Sequence, residues 1–324
     1  MHCTCGIRSM GLISTWVIPQ KSICGRFNSM DPVWSIARPS HPSGILFVAK
    51  NEVIHSRDNA LLKRIRQLQL SGSKGQKARV EQQQAVLDGI HVMQTWLGDT
   101  RLHSFITSSS AQTHPEIATL IERHLEQCPN TQIHWVDETL WSSISELENA
   151  PHIMGLIKLE QAKVGHQTIK GDVLILEAIQ DAGNVGTILR TALATHFRQV
   201  ICTTGTAHIW SPKVLRAAMG AHRHLHFYEG WSTNDVASNI ESSLLATAMD
   251  AKDNLYSISK ILSKPVAWIF GNEGQGVSSD LLAQSQQVQI PQNSEIESLN
   301  VATAAAVCLY ETLRVRSSQS DSLS

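Results

Sequence analysis

Residues 265–311, PVAWIFGNEGQGVSSDLLAQSQQVQIPQNSEIESLNVATAAAVCLYE, decide how the chain is read. Two short apolar runs, 266–270 and 288–290, each lead into a loop of Gly, Asn, Glu, Ser and Pro and then into a helical pattern. That is strand, loop, helix, twice over. In an open parallel sheet the loops leaving the C-terminal ends of neighbouring strands lie side by side and form the ligand crevice. The two loops are therefore the expected site.

Immediately upstream, Asp172-Val-Leu-Ile-Leu-Glu-Ala-Ile reads as a strand buried on both faces. It passes through Gln180-Asp-Ala-Gly to Asn184 and a helix with Val185, Ile188, Leu189, Ala192 and Leu193 on one stripe. Arg190 falls about 140° from Val185, off that stripe, as a solvated arginine or a functional one would. Further strands are expected at 199–203, 224–228 and 245–249, with a helix from Ser211-Pro212. His222, His224 and His226 would share one face of a strand, but no Asp, Glu or Cys joins them at ligand spacing, so no metal site is assigned. The last helix aligns Leu299, Ala302, Thr303, Ala306, Tyr310 and Leu313, and the composition of 317–324 predicts a disordered tail.

Further out, Leu61, Leu62, Ile65 and Leu68 form one helical face with Lys63 and Arg66 opposite, followed by 71–79, SGSKGQKAR, read as flexible. Between Arg57 and Arg79 stand seven Lys or Arg against one acid, Asp58. Such a run is either a solvated face or a phosphate-binding patch for nucleic acid. Strands are expected at 84–87, 102–107, 132–136 and 153–158, with helices at 90–97, 115–127 and 138–147, which makes 51–158 a compact α/β unit. Residues 159–171 read as a linker, 172–316 as the second domain, and 1–50 as a leader. The leader has no acid before Asp31 and carries Arg8, Lys21 and Arg26, the composition of a transit sequence. The alternative, preferred here, is an over-extended start with Met30 as the first residue.

The whole chain has 324 residues, 42% apolar and 17% charged, with a formal net charge of −1, so any nucleic-acid signal is local rather than global. Its six cysteines are scattered and read as reduced cytosolic thiols; Cys3, Cys5 and Cys24 lack a fourth ligand for a metal. No apolar run approaches the roughly 20 residues of a membrane helix.

For a ligand, a dinucleotide is the first candidate, because Gly271-Asn-Glu-Gly-Gln-Gly follows a strand and precedes a helix. Its order is G-x-x-G-x-G rather than G-x-G-x-x-G, and Glu273 would oppose a pyrophosphate. No P-loop pattern occurs. Glycines with an acid and no phosphate-binding lysine suit a nucleoside carrying a cation, a description met by S-adenosylmethionine and its sulfonium.

Taken together, Asn184-x-Gly-x-x-x-Arg190-Thr-Ala, Gly271-Asn-Glu273-Gly-x-Gly, and Ile290-Pro followed by Ser298-Leu299-Asn300-Val resemble the three ordered motifs of the SpoU-type RNA ribose 2′-O-methyltransferases of the SPOUT superfamily. Residues 211–220, SPKVLRAAMG, resemble a further family element, and 56–97 are similar to the RNA-binding domain many members carry. The resemblance implies an α/β parallel-sheet domain with a deep trefoil knot, preceded by a smaller ribosomal-protein-like α/β domain. It also implies an obligate homodimer in the cytoplasm, S-adenosylmethionine as cofactor, no metal and no membrane. The substrate it implies is structured RNA, ribosomal rather than transfer RNA.

By the same resemblance Arg190 is the catalytic arginine, orienting a substrate phosphate rather than acting as a literal base. Asn184 and Glu273 shape the two loops, Ser298 and Asn300 hydrogen-bond substrate or cofactor, and the backbone at Gly271, Ile290 and Leu299 cradles the cofactor. Arg57, Lys63, Arg66, Lys74, Lys77 and Arg79 become the RNA-binding patch. Two departures stand out: His196-Phe197 where members carry a small residue and Gly, and Ala302 where Ser is frequent.

Overall fold

The alternation of strands and helices resolves into two sheets. In the computed structural model, residues 53–145, 147, 151–160 and 167–320 are described. The first sheet contains β1 (Gln84–Asp88), β2 (Leu102–Ser108), β3 (Gln132–Val136) and β4 (Ile153–Lys158) in the order β1-β4-β2-β3. β4 runs antiparallel to both β1 and β2, and β3 runs parallel to β2. The helices are α1 (Ala60–Gln69), α2 (Gly72–Gln82), α3 (Ile90–Gln94), α4 (Pro115–Leu125) and α5 (Glu138–Trp141). Alternate strand residues point to opposite faces. Ala85 and Leu87 therefore pack toward α3 and α4, while Val86 packs toward the Leu62, Ile65 and Leu68 stripe of α1.

The second sheet contains β5 (Val173–Leu176), β6 (Gln199–Thr203), β7 (His226–Trp231), β8 (Ser243–Thr247), β9 (Asp253–Asn254), β10 (Val266–Phe270) and β11 (Gln286–Gln289). Its order is β7-β6-β5-β10-β8-β11-β9, and every pairing is parallel. The helices are α6 (Ala182–Ala194), α7 (Pro212–Ala218), α8 (Thr233–Asn239), α9 (Ser259–Leu262), α10 (Ser279–Gln284) and α11 (Val301–Ser320). The unbroken apolar runs of β5 and β10 are explained by burial on both sides. Leu174, Leu176, Trp268 and Phe270 pack against α6 and α11, while Val173, Ile175, Ala267 and Ile269 pack toward α8 and α10.

This topology places the site. From β5 the chain winds outward to β6 and β7, whereas β10 inserts on the other side of β5. The direction of winding reverses between β5 and β10, and such a switch point opens a crevice at the carboxyl ends of the strands. The loops at 177–181 and 271–278 flank that crevice.

Several expectations change. The flexible segment at 71–79 lies within α2, whose buried positions are Gly75 and Arg79. Helix α2 was missed because its inner face carries no apolar stripe. A Cβ on Gly75 would lie 1.6 Å from the Leu70 carbonyl oxygen, so the close α1–α2 corner requires glycine there. The three histidines do not share a strand face: His222 lies in a short 3₁₀ turn, His224 ends it, and only His226 belongs to β7. α11 continues to Ser320, through the first half of the expected tail, and 321–324 lie outside the described residues. α5 ends at Trp141, earlier than expected. The leader and residues 161–166 of the linker also fall outside the described residues.

Residues 49–324 form one compact unit, and the two sheets are docked by charged groups as well as apolar ones. Leu215 of α7 packs into the core of the first sheet. Arg223 donates to Asp99 at 3.1 Å and to the Thr95 carbonyl at 2.6 Å. Asp99 also receives Arg101 at 2.7 Å. Although burial pushes the Asp99 carboxyl up, hydrogen bonding to Arg101 and the charge of Arg223 bring it down to about 2.

Candidate active site

Helix α6 begins at Asp181, whose side chain accepts from the Asn184 N–H at 2.8 Å. Asp181, not Asn184, is thus the N-cap, an Asx cap of the ordinary kind. That frees the Asn184 side chain. Its amide donates to Glu273 at 3.1 Å, and its carbonyl accepts from the Asn300 amide at 3.0 Å. Glu273 also accepts from the backbone N–H groups of Gln180 and Asp181, each at 3.2 Å. Burial raises the Glu273 carboxyl, but the Asn184 amide and surrounding backbone donors outweigh it and hold the group below the usual range. Asn300 caps α11, accepting from Ala302 and Thr303 at 2.9 and 3.2 Å, while its amide reaches Asn184. One residue from each motif therefore meets in a single chain, Asn300–Asn184–Glu273, at the crevice the strand order creates.

The backbone around this chain is tightly folded. Asn272 and Gly276 pair across the loop, and a Cβ on Gly271 would meet the Gly276 carbonyl at 2.2 Å, so only glycine fits. Ala178 is held at φ 51°, a left-handed conformation costly for a residue with a Cβ. Its N–H donates to the Thr203 hydroxyl at 3.1 Å, and its carbonyl accepts from Asn272 at 2.9 Å. Ile290 is half-buried against the main core, Leu299 is half-buried, and Ser298 is exposed two residues before Asn300.

Arg190 stands apart. It is exposed, about 9 Å further along α6 than Asn184 and about 120° around it. Among the described residues no hydrogen bond or ion pair ties it to Asn184, Glu273 or Asn300. Of the basic patch, Arg57, Lys63, Lys74 and Lys77 are exposed and Arg66 is half-buried, with Lys63 paired to Asp58 at 2.9 Å.

Arg79 does not belong to that surface. It is 1% exposed, donating to the carbonyls of Leu68 and Leu70 at 2.6 and 3.1 Å and to His208 Nδ1 at 2.9 Å. Charge counting misassigned it because an unpaired-looking arginine in sequence gives no sign of buried carbonyl partners. Arginine only donates, so His208 Nδ1 is the acceptor and its proton sits on Nε2, facing Glu229 at 3.7 Å. Burial lowers Arg79 to about 10 and His208 to about 3, and raises Glu229 to about 7 against the opposing indole of Trp210 and charge of Arg79. Asp181, Gln180, His208 and Glu229 were not singled out in sequence; only Asp181 had a signal, an Asx residue preceding a helical run.

Residues 172–310, which contain all three motifs, match the SpoU rRNA Methylase family. A tRNA/rRNA methyltransferase of Synechocystis sp., itself uncharacterized, is 31% identical over 275 residues, covering 81% of this chain and 93% of that protein. The chain belongs to the SpoU family. A 23S rRNA guanosine 2′-O-methyltransferase of Bacillus subtilis is 31% identical over 186 residues, covering 55% of this chain and 71% of that protein. The fold is also that of the SpoU methyltransferase AviRb from Streptomyces viridochromogenes, solved with AdoMet, at a TM-score of 0.67 and 19% identity, covering 80% of this chain and 99% of that one. Among the described residues no group of three or more His, Cys, Asp or Glu is placed to hold a metal ion, and no helix is long and apolar enough to cross a membrane.

Proposed function

We propose that this SpoU protein transfers a methyl group from S-adenosylmethionine to a ribose 2′-hydroxyl of ribosomal RNA. The observation that carries the reading is the Asn300–Asn184–Glu273 chain, which ties the start of α6, the loop after β10 and the start of α11 together at the crevice. S-adenosylmethionine fits the donor set: the loop at 271–276 offers close backbone, and Glu273 is held in its ionised form beside it, suited to a sulfonium and unsuited to a phosphate. The backbone at Gly271, Ile290 and Leu299 would hold it, and when bound it supplies an electrophilic methyl.

The chain's own residues do the rest. Glu273, Asn184 and Asn300 fix the loop positions before substrate arrives, so little reorganisation remains at the moment of transfer. Ser298, exposed two residues before Asn300, hydrogen-bonds substrate in this reading. Arg190 orients a substrate phosphate and stabilises charge that develops as the hydroxyl proton leaves. Its separation from Asn184 along α6, with no bond to Glu273 or Asn300, supports a homodimer in which assembly completes the site. The exposed Arg57, Lys63, Lys74 and Lys77, with Arg66, hold RNA phosphates. Residues 51–158 act as the RNA-binding domain, 172–316 as the knotted methyltransferase domain, and the protein works in the cytoplasm.

Ribosomal RNA is favoured over transfer RNA by the substrate named for the Bacillus relative. The test is transfer of labelled methyl from S-adenosylmethionine to total RNA of cells lacking the protein, with ribose-methylation mapping of the product. Label on a ribosomal ribose that disappears with Arg190→Ala is the expected result. Label confined to transfer RNA would replace the substrate, and RNA binding without transfer would make the protein a silent docking module.

A further inference from the structure

A pocket of about 600 Å³, within the size range of small-ligand sites, opens on the face of the first sheet that packs on α1, opposite the face that receives Leu215 of α7. Along β2 and β3 this face starts out polar. Ser104 stands in register with Gln132 and Leu156, and Ile106 with His134. By the two-residue alternation, Ser104, Gln132 and His134 occupy positions that carry core side chains further along, at Ile106 and Val136. A register shift between Leu102 and Ser104 turns His103 into the same pocket as its neighbour, with His103 Nδ1 2.9 Å from the Ser104 hydroxyl. Bulges of this kind re-aim side chains and gather next to functional sites. The lining is also one-signed: Arg64 joins His103 and His134, and among the described residues no Asp or Glu lines the pocket. Of the acids in the adjoining segments, Asp58 is paired to Lys63 at 2.9 Å and Asp137 to His55 at 2.8 Å.

We infer that this pocket holds one nucleotide of an RNA loop by its phosphate, with Arg64 and His134 as the donors, so that bound RNA reaches round to the face of the first sheet turned away from α7. The inference rests on the reading of the protein as one that binds RNA, and not on methyl transfer. Among the described residues neither the Arg64 nor the His134 side chain makes a hydrogen bond or ion pair, so both are available to a ligand. Arg64 lies about 60° round α1 from Leu61, at the pocket, whereas Lys63 lies about 160° from it and faces elsewhere. Burial, then the charges of Lys158, Arg64 and His134, holds the His103 imidazole below the usual histidine range, and burial does the same for His134. A neutral imidazole offers one N–H, and the Arg64 guanidinium offers a charged fork that matches phosphate. Ser104 and Gln132 are left for the ribose hydroxyls. Nucleotides in loops are free to enter such a pocket because they leave the stack, as paired ones do not.

The test measures binding of the full chain to total ribosomal RNA by filter retention across a range of salt, with uridine 5′-monophosphate titrated in parallel. The wild type is compared with Arg64→Gln, His134→Gln, the double variant and Arg123→Gln, and urea unfolding checks that each is folded. Arg123 is an exposed cation on α4, which packs on the other face of the same sheet, and controls for bulk charge. Arg64→Gln is expected to weaken RNA binding about tenfold and to reduce the slope of log affinity on log salt by about 0.7–0.9, the signature of one lost phosphate contact. His134→Gln should weaken binding about fivefold with the slope unchanged, and the double variant should lose less than the product of the two, because both serve one phosphate. Arg123→Gln should change neither. An Arg64→Gln variant that behaves like Arg123→Gln, losses that multiply in the double variant, or a wild type that binds no RNA each overturn the inference. Loss of uridine monophosphate binding in Arg64→Gln with RNA affinity intact overturns it in favour of a free nucleotide. The expected pattern without methyl transfer to any RNA would retire the enzymatic reading and leave the pocket assignment standing; methyl transfer with RNA affinity indifferent to Arg64 would do the reverse.

Discussion

Glu273 accepts four donors in all if its own backbone is counted, and every one of them is an N–H. Glu273→Gln keeps the shape but replaces one accepting oxygen with a donating amide, so at least one N–H of Asn184, Gln180 or Asp181 faces another donor. Losing one hydrogen bond to a charged acceptor costs about 1.5–3 kcal/mol. Initial rates of methyl transfer should fall about 10²-fold, with S-adenosylmethionine binding weakened in calorimetry; an unchanged rate would sink the role given to the network. A different residue tests the family departure at 196. His196 adopts φ 68° and is exposed, while Phe197 beside it is fully buried with Arg316 stacked 6.0 Å from its ring. The aromatic residue packs well, and the histidine carries the strain. His196→Gly should stabilise the protein by about 1 kcal/mol in urea unfolding. At this scale the sequence showed Asn184, Glu273 and Asn300 through spaced motifs. It could not show that Arg79 is buried, since its partners are carbonyls and a histidine 129 residues away.

Elements with an apolar period were legible: α1, α4, α6, and all four strands of the first sheet lie close to where the pattern put them. Helix α2 was not, because its inward positions are a glycine and an arginine. That makes Gly75 a discriminating substitution. On an exposed helix Gly→Ala gains about 1 kcal/mol from propensity. Here the added Cβ would sit 1.6 Å from the Leu70 carbonyl oxygen, whose carbonyl also binds Arg79. The backbone at the α1–α2 corner has to move, and Gly75→Ala should lose at least about 2 kcal/mol. Urea midpoints for the variant settle the sign, and a gain would mean that the corner accommodates a methyl group. The final helix makes the opposite point. Its start was marked by Asn300, but its continuation through Ser317–Ser320 rests on extending an established helix, which composition alone does not report.

How the two sheets dock was invisible in sequence, because the contacts are charged and scattered: Arg79 to His208, Arg223 to Asp99, Leu215 into the first core. These groups make stability depend on pH in separable ways. Asp99 is depressed from 3.8 to about 2, so it contributes about 2 kcal/mol that is present above pH 4 and lost as pH falls through 2. Glu229 has the opposite sign. Burial raises it from 4.5 to about 7, so the folded state favours its protonated form. Its contribution, about 3 kcal/mol, is fully present below pH 4.5 and is lost as pH rises through 7. His208, depressed to about 3 by burial and by Arg79, loses stability on the acid side of 6.5 and so overlaps the Glu229 window with the contrary slope. The wild-type curve alone would blur the two. Glu229→Gln removes one limb and leaves Arg79 and His208 in place. Measured by urea unfolding, the stability of the variant relative to wild type should therefore rise by about 3 kcal/mol between pH 4.5 and pH 8. A difference that stays constant over that range would mean Glu229 is solvated, and the Arg79–His208 string would end in water rather than at a carboxyl group closing the junction between the sheets.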